Sequence, residues 1–225
     1  MKRASKCNKM KNFQDLPDEL VLKILSYISE TKDLISCGQV SKRTRKISHD
    51  CTLWMSANLE KKVVKTELLE MILGKGCKIL NLCDSTILGS LSSNIKSELR
   101  VLNLSQPATW TDAENVKVKV NGNVLGELLF SCCSLHHLVM EGVLVTPKMV
   151  VSICKNSKTL QTLNLNFSDH ILISSYPYLT EIIKWCQELK EVDLAYVNNN
   201  KHWTSGGLTD DELECLIIFH QLLKN

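Results

Sequence analysis

Apolar residues stand four apart at Leu20, Ile24 and Ile28, and Val21 and Leu25 fill the adjoining stripe. This spacing predicts a helix that is apolar around more than half of its circumference. Pro17 at a first helical position needs no backbone donor, while Asp18 and Glu19 set negative charge against the positive helix end, so the helix is expected to start there and run to about Ile28. Thr31 can cap a second short helix carrying Leu34 and Cys37. Ser41 can cap a third through Ile47, after which Leu53-Trp54 closes the unit. A three-helix module of about 45 residues buries a small fraction of its surface, and its surplus apolar face calls for a partner.

Beyond this module the period changes. The pattern Leu-x-x-Leu-x-Leu is met by Cys77-Lys-Ile-Leu80-Asn-Leu82, Leu99-Arg-Val-Leu102-Asn-Leu104, Leu135-His-His-Leu138-Val-Met140, Leu160-Gln-Thr-Leu163-Asn-Leu165 and Leu189-Lys-Glu-Val192-Asp-Leu194. Each match predicts a short strand with its apolar members inward, and helices are expected before the strands at Glu67 to Leu73, Val124 to Cys132, Lys148 to Cys154 and Leu179 to Cys186. The last apolar positions, 82, 104, 140, 165 and 194, are separated by 22, 36, 25 and 29 residues. All but the second interval suit a leucine-rich repeat. The longer one needs an insertion, placed between Ser105 and Asn123, where Val116-Lys117-Val118-Lys119-Val120 and Asn121-Gly122 suggest an edge strand and a tight turn near Trp110. Thr209-Asp210-Asp211-Glu212 reads as a capping box opening a last helix to about Leu223.

Residues 13–59 resemble the F-box family, with Leu16-Pro17, Glu19, Ile24, Asp33-Leu34, Val40, Lys42-Arg43 and Leu53-Trp54 at the family's positions. Ser41 stands where that family often has Cys, and Thr44 where it often has Trp. With the repeats, most of the chain resembles F-box leucine-rich-repeat proteins. The fold expected is α+β: an N-terminal three-helix F-box, then a short curved α/β leucine-rich-repeat solenoid with about five parallel strands. The domains expected are a basic leader at 1–12, the F-box at 13–59 and degenerate repeats at 60–225. The resemblance implies binding to the adaptor of SCF-type cullin-RING ubiquitin ligases. Leu16, Pro17, Glu19, Leu20, Ile24, Leu25, Ile28, Leu34, Val40 and Trp54 are the expected adaptor-binding residues. The alternative is a helical hairpin belonging to the main core, since apolar helical stripes are usually core.

Composition narrows the reading little further. The chain has 225 residues, 44% hydrophobic and 23% charged, with 5% aromatic residues, so leucine and isoleucine must form most of any core. Net charge is +3, which gives no reason to propose a nucleic-acid partner. Ten cysteines behind a polar start suggest a reducing compartment, cytoplasm or nucleus, and the apolar runs fall short of a membrane helix. The basic leader and Lys42-Arg43-Thr44-Arg45-Lys46 can be read as nuclear-import signals or as solvated faces.

Catalytic chemistry is not expected. Cys132-Cys133-Ser134-Leu135-His136-His137 gathers four possible zinc ligands, but two neighbouring histidines on a strand point to opposite sides. Cysteines that end helices are poorly placed for a thiolate, and there is no phosphate-cradling glycine loop, so no metal and no cofactor is expected. The strand positions between the leucines should line the concave surface: Ile79, Asn81, Cys83; Val101, Asn103, Ser105; His137, Val139, Glu141; Thr162, Asn164, Asn166; Glu191, Asp193, Ala195. From these, His137, Glu141, Asn164, Asn166, Glu191 and Asp193, with Trp110 from the insertion, are candidate substrate-binding residues. Glu141, Glu191 and Asp193 favour a target bearing Lys or Arg over a doubly phosphorylated one.

The function expected is therefore a non-enzymatic substrate receptor, partnered by the adaptor, through it cullin and RING subunits, and an unknown protein target. The alternatives are a repeat scaffold or decoy that binds adaptor or target without promoting ubiquitination, and a nucleic-acid-binding module on the basic helical face.

Overall fold

The computed structural model describes residues 12–92, 94–106, 122–143, 145–156, 158–165, 182 and 184–193. Trp110, the alternating segment 116–120, Asn166, Ala195, the basic leader before residue 12 and the helix expected at 209–223 lie outside the described residues. The chain divides into two units between Trp54 and Met55.

The first unit has three helices, α1 (Asp18–Leu25), α2 (Thr31–Val40) and α3 (Lys42–Ser48), flanked by 3-10 turns at Phe13–Asp15 and Cys51–Trp54. Pro17 is the N-cap of α1, not its first turn, and its carbonyl accepts the Leu20 and Val21 amides. The helix also stops before Ile28. Ser26 Oγ donates to the Lys23 carbonyl at 2.7 Å, and the Tyr27 and Ile28 amides turn instead to Ile24 and Leu25, so the end tightens into a 3-10 turn. Thr31 is likewise inside α2 and buried, because extended Glu30 caps it.

Ser41 does cap α3, and it does so with Thr44. Ser41 Oγ accepts the Thr44 amide at 3.0 Å, and Thr44 Oγ1 accepts the Ser41 amide at 3.0 Å. The two departures from the common F-box pattern thus form one reciprocal capping box. Gly38 lies where α2 meets α3, since a Cβ there would stand 2.6 Å from Ser48 Oγ. The buried Trp54 indole donates to the Ser48 carbonyl at 2.7 Å, tying the closing turn to the end of α3.

Arg43 does more than its place in a basic run suggests. Its Nε donates to Asp18 Oδ1 at 2.7 Å, and its two terminal nitrogens donate to the carbonyls of Gln14, at 2.7 Å, and Leu16. One planar guanidinium therefore holds the segment that leads into α1 against α3.

The second unit is built on a parallel sheet of six strands in chain order: β1 (Ser56–Asn58), β3 (Ile79–Asn81), β5 (Val101–Asn103), β6 (His137–Val139), β7 (Thr162–Asn164) and β8 (Glu191–Asp193). β2 (Val63–Lys65) pairs separately with β4 (Thr86–Leu88), a small parallel sheet that the sequence pattern did not announce. The six-strand count exceeds expectation by one, because Ala57 takes the leucine's place in β1 and hides it from the pattern. Register sets Ala57, Leu80, Leu102, Leu138, Leu163 and Val192 side by side. All but Val192 are buried, as are Leu82, Leu104, Met140 and Leu165 two places on.

Five of these strands, β3, β5, β6, β7 and β8, open with a bulge. The Lys78 and Ile79 amides both bond to the Met55 carbonyl, Arg100 and Val101 both to Lys78, His136 and His137 both to Arg100, Gln161 and Thr162 both to His136, and Lys190 and Glu191 both to Gln161. Two residues facing one carbonyl account for the extra position in Leu-x-x-Leu, and they leave two consecutive side chains outside. At the far end Asn58, Asn81 and Asn103 turn the chain, their Oδ1 atoms accepting the amides of Glu60, Cys83 and Ser105 at 3.0–3.1 Å.

Among the described residues this unit also has the helices α4 (Thr66–Gly74), α5 (Gly122–Ser131) and α6 (Pro147–Asn156). Gly122, expected in a turn, begins α5. Of the fourth helix expected, at Leu179 to Cys186, Ile182, Lys184, Trp185 and Cys186 are described; the first three are helical and Cys186 is not. Leu69, Ile72, Leu73, Leu128, Leu129, Met149 and Ile153 from α4, α5 and α6 are buried with the strand leucines. Ser152 Oγ donates to the Gly126 carbonyl at 2.9 Å and Lys148 pairs with Glu127 at 3.4 Å, both joining α5 to α6.

Arg43→Ala should lower the unfolding free energy by about 1–2 kcal/mol, a charge-assisted hydrogen-bond contribution discounted for partial exposure. Arg43→Lys should recover little of it, because an ammonium cannot span three acceptors in a plane. Urea unfolding of the three proteins checks this; a lysine variant as stable as the parent would defeat it.

Candidate partner-binding surfaces

α1 separates its apolar residues onto two faces. Val21 and Leu25 are buried, whereas Leu20 and Ile24 are 47% and 44% exposed. Phe13, Pro17, Tyr27 and Val40 are exposed as well, Val40 at 78%. Lys23 Nζ lies 5.1 Å from the centre of the Tyr27 ring. Leu16 and Ile28 are half-buried, and Glu19 is exposed.

Of the ten residues expected to meet an adaptor, Leu25, Leu34 and Trp54 are corrected by this geometry. They are buried, so their apolar surface is already spent on packing and offers nothing to a partner. Tyr27 and Phe13, which were not among the ten, are exposed. Both stand in the N-terminal apolar pattern, but one side of a helix cannot be assigned to core or partner until its neighbours are known. Arg43 was assigned to a family position and to a basic run; its role in holding the Leu16-Pro17 segment is visible only in the fold.

On the sheet, the exposed or half-buried row Ile79, Val101, His137, Thr162 and Glu191 runs across adjacent strands, followed by the half-buried Asn81, Asn103, Val139 and Asn164 and the exposed Asp193. His137 Nδ1 lies 2.8 Å from Thr162 Oγ1. The candidates His137, Asn164, Glu191 and Asp193 are thus gathered on β6, β7 and β8, with Glu141 just past the end of β6. Ser105 is a correction: it is buried, because Asn103 takes its amide and the alternation of the strand ends there. Asn166 and Trp110 lie outside the described residues.

The two histidines do not point to opposite sides. Their rings are 6.5 Å apart, since the bulge sets both outward; His136 Nδ1 lies 2.7 Å from the Ser134 carbonyl. Cys132 beside them is buried while Cys133 is exposed, and among the described residues no three potential ligands gather for a metal.

Burial pushes the thiols of Cys77 and Cys132 up to about 11, against weaker hydrogen bonds that lower them, and that of Cys186 up to about 12, with Cys154 adding to the rise. Such thiols remain protonated and behave as small apolar groups. Cys83 is also raised, first by desolvation and then by Glu60 and Asp84. None of the described helices is long and apolar enough to cross a membrane. A cleft of about 510 Å³ opens beside α5 and α6, lined by Leu91, Ile95, Phe130, Pro147 and Val151 among others. Sequence spacing had given no sign of it, because Leu91 and Ile95 come from an irregular segment.

Residues 13–60 match the F-box-like family.

The raised thiols have a pH consequence. Unfolding returns them to about 9.0, so their contribution to stability is intact below pH 9 and is lost as pH climbs through about 11 to 12. Urea midpoints should fall over that interval, and Cys132→Ala should flatten part of the decline. A midpoint unchanged up to pH 11 in the parent protein would contradict this.

Proposed function

We propose that this chain, whose N-terminal unit carries the F-box-like domain, is a substrate-recognition subunit of an SCF-type cullin-RING ubiquitin ligase. The first unit docks on the small adaptor and, through it, on cullin and RING subunits. The second unit is a set of leucine-rich repeats that holds a protein target, in an arrangement resembling the S-phase-kinase-associated substrate receptor. Catalysis is supplied by other subunits, and this chain contributes position.

The observation that carries the reading is the exposed stripe of Leu20 and Ile24 on α1 within the matched segment. A water-facing leucine and isoleucine one turn apart, with exposed Pro17 one turn before them, form an apolar patch that docking would cover. The Arg43 fork contributes by fixing the backbone around Leu16, so the patch is presented in one geometry at small entropic cost. The target end is supported by the polar, outward rows of the sheet, which lie on a rigid in-register ladder.

Full burial of a leucine or isoleucine contributes about 1.5–3 kcal/mol, and roughly half of each of these two side chains is still open to water. Leu20→Ala with Ile24→Ala should therefore cost about 1.5–3 kcal/mol, a 10- to 100-fold loss of adaptor affinity. The fold should survive it, whereas Val21→Ala should unfold the unit by removing buried volume. Pull-down of purified adaptor and cullin by parent and double variant, matched by circular dichroism, checks the proposal. A well-folded parent chain that retains no adaptor would refute it.

A further inference from the structure

The bulges that open the strands place a second outward row beside the one already described. Lys78, Arg100, His136, Gln161 and Lys190 are linked by consecutive backbone hydrogen bonds, each amide to the carbonyl of the residue before it in the row. Adjacent strands lie about 4.8 Å apart, so the row sets a cation or a donor at every step over about 19 Å. Arg100 and Lys190 are exposed and Lys78 is half-buried. None of the three is ion-paired among the described residues, although Glu98 and Glu188 stand two residues before Arg100 and Lys190.

The opposite end of the sheet carries the other sign. Glu60, Asp84 and Glu141 all act on Cys83, which places them together past the strand ends; Lys61 is there too and pairs with Glu60 at 3.2 Å, leaving Asp84 and Glu141 in excess, and Asp193 ends β8. Between the two ends Ile79, Val101 and Val139 are partly open on β3, β5 and β6, while β7 and β8 carry Thr162, Asn164 and the exposed Glu191, which stands beside Lys190. The face is therefore polarised along β3, β5 and β6: basic or polar where they begin, with an apolar stretch in the middle and carboxylates past their ends.

We infer that the basic row is a docking site for an acidic, extended segment of a partner protein, running across the strands and setting its apolar side chains on Ile79 and Val101. The charges of the row suit an anionic ligand. The carboxylates beyond it repel a continuous polyanion, which argues for a peptide whose acidic residues alternate with apolar ones over a nucleic acid. As a statement about the ligase target, the inference rests on the proposed function; as a statement about what the sheet binds, it does not. It also refines the expectation of a Lys- or Arg-bearing target, by assigning such residues to the Glu141 and Asp193 end only.

The experiment measures fluorescence anisotropy of a labelled short peptide with glutamate at every second position and valine between, added to the full chain at low salt. The same peptide with lysine for glutamate and a labelled poly-uridine strand run beside it. The parent should bind the glutamate peptide best, and Lys78→Glu, Arg100→Glu, Lys190→Glu together should weaken that binding about tenfold or more, exposed ion pairs being individually small. The corresponding three glutamine substitutions, which should fold like the parent, should weaken it by less and in the same direction. Equal binding by the variants, preference for the lysine peptide, tighter binding of poly-uridine, or no binding of the glutamate peptide would each overturn the inference. Adaptor pull-down on the same samples separates the two claims: adaptor retention must be unchanged by the three substitutions, and its absence in the parent would count against the ligase reading alone.

Discussion

The second unit depends on one repeated backbone arrangement, two successive amides sharing a carbonyl at the start of β3, β5, β6, β7 and β8. Without that bulge a parallel strand alternates strictly, and residues three apart such as Cys77 and Leu80 would face opposite sides. With it, both turn inward and the chain re-enters strict alternation, so Leu82 follows Leu80 into the core. The same arrangement recurs at β3, β5, β6, β7 and β8, and register then sets leucine beside leucine inside, with an apolar pair at Ile79 and Val101 and polar pairs such as Asn81 with Asn103 outside. The asparagines that end β1, β3 and β5 finish each strand in a similar way, by taking an amide two residues on. β3 and β5 thus have both a defined beginning and a defined end, the one from backbone and the other from asparagine side-chain hydrogen bonds.

The first unit solves a different problem. Its helices are short, and an isolated short helix is marginal in water, so stability comes from contacts between them. Gly38 lets α2 approach α3, Ser41 and Thr44 cap α3, and Arg43 binds the leading segment. Those contacts consume Val21, Leu25, Leu34, Ile47 and Trp54, and they leave Leu20, Ile24 and Val40 open. In a unit this small, an apolar residue open to water has little chance of being covered by its own chain, which is why exposure there bears on docking more directly than it would in a large core.

Much of this was legible in the sequence, and the parts that were not share a cause. The helical module and five of the six strands followed from periodicity, which depends on backbone geometry that every residue type obeys. Ala57 broke the pattern through side-chain size alone while keeping its place in the ladder. The ends of elements were less readable, as Ser26 shows: its hydroxyl competes for one carbonyl and shortens α1 by a turn. Site assignment failed where it required knowing which neighbour covers a side chain. Leu25, Leu34 and Trp54 are indistinguishable by type from Leu20 and Ile24, and only packing divides them. His136 and His137 were misplaced because the bulge adds a residue that strict alternation does not contain.

The two units present surfaces of opposite physical character, and that difference bears on how each would be used. An apolar patch such as Leu20 with Ile24 gains free energy from water release, which salt hardly screens, so a contact made there persists across cellular conditions. The rows of the sheet carry charges of both signs, exposed and therefore individually weak, and their attraction falls as ionic strength rises. A permanent docking interface and an exchangeable recognition face ask for those two kinds of chemistry respectively. The division between Trp54 and Met55 keeps them in separate units, so substitutions that retune the charged rows leave the leucine and isoleucine of α1 in place.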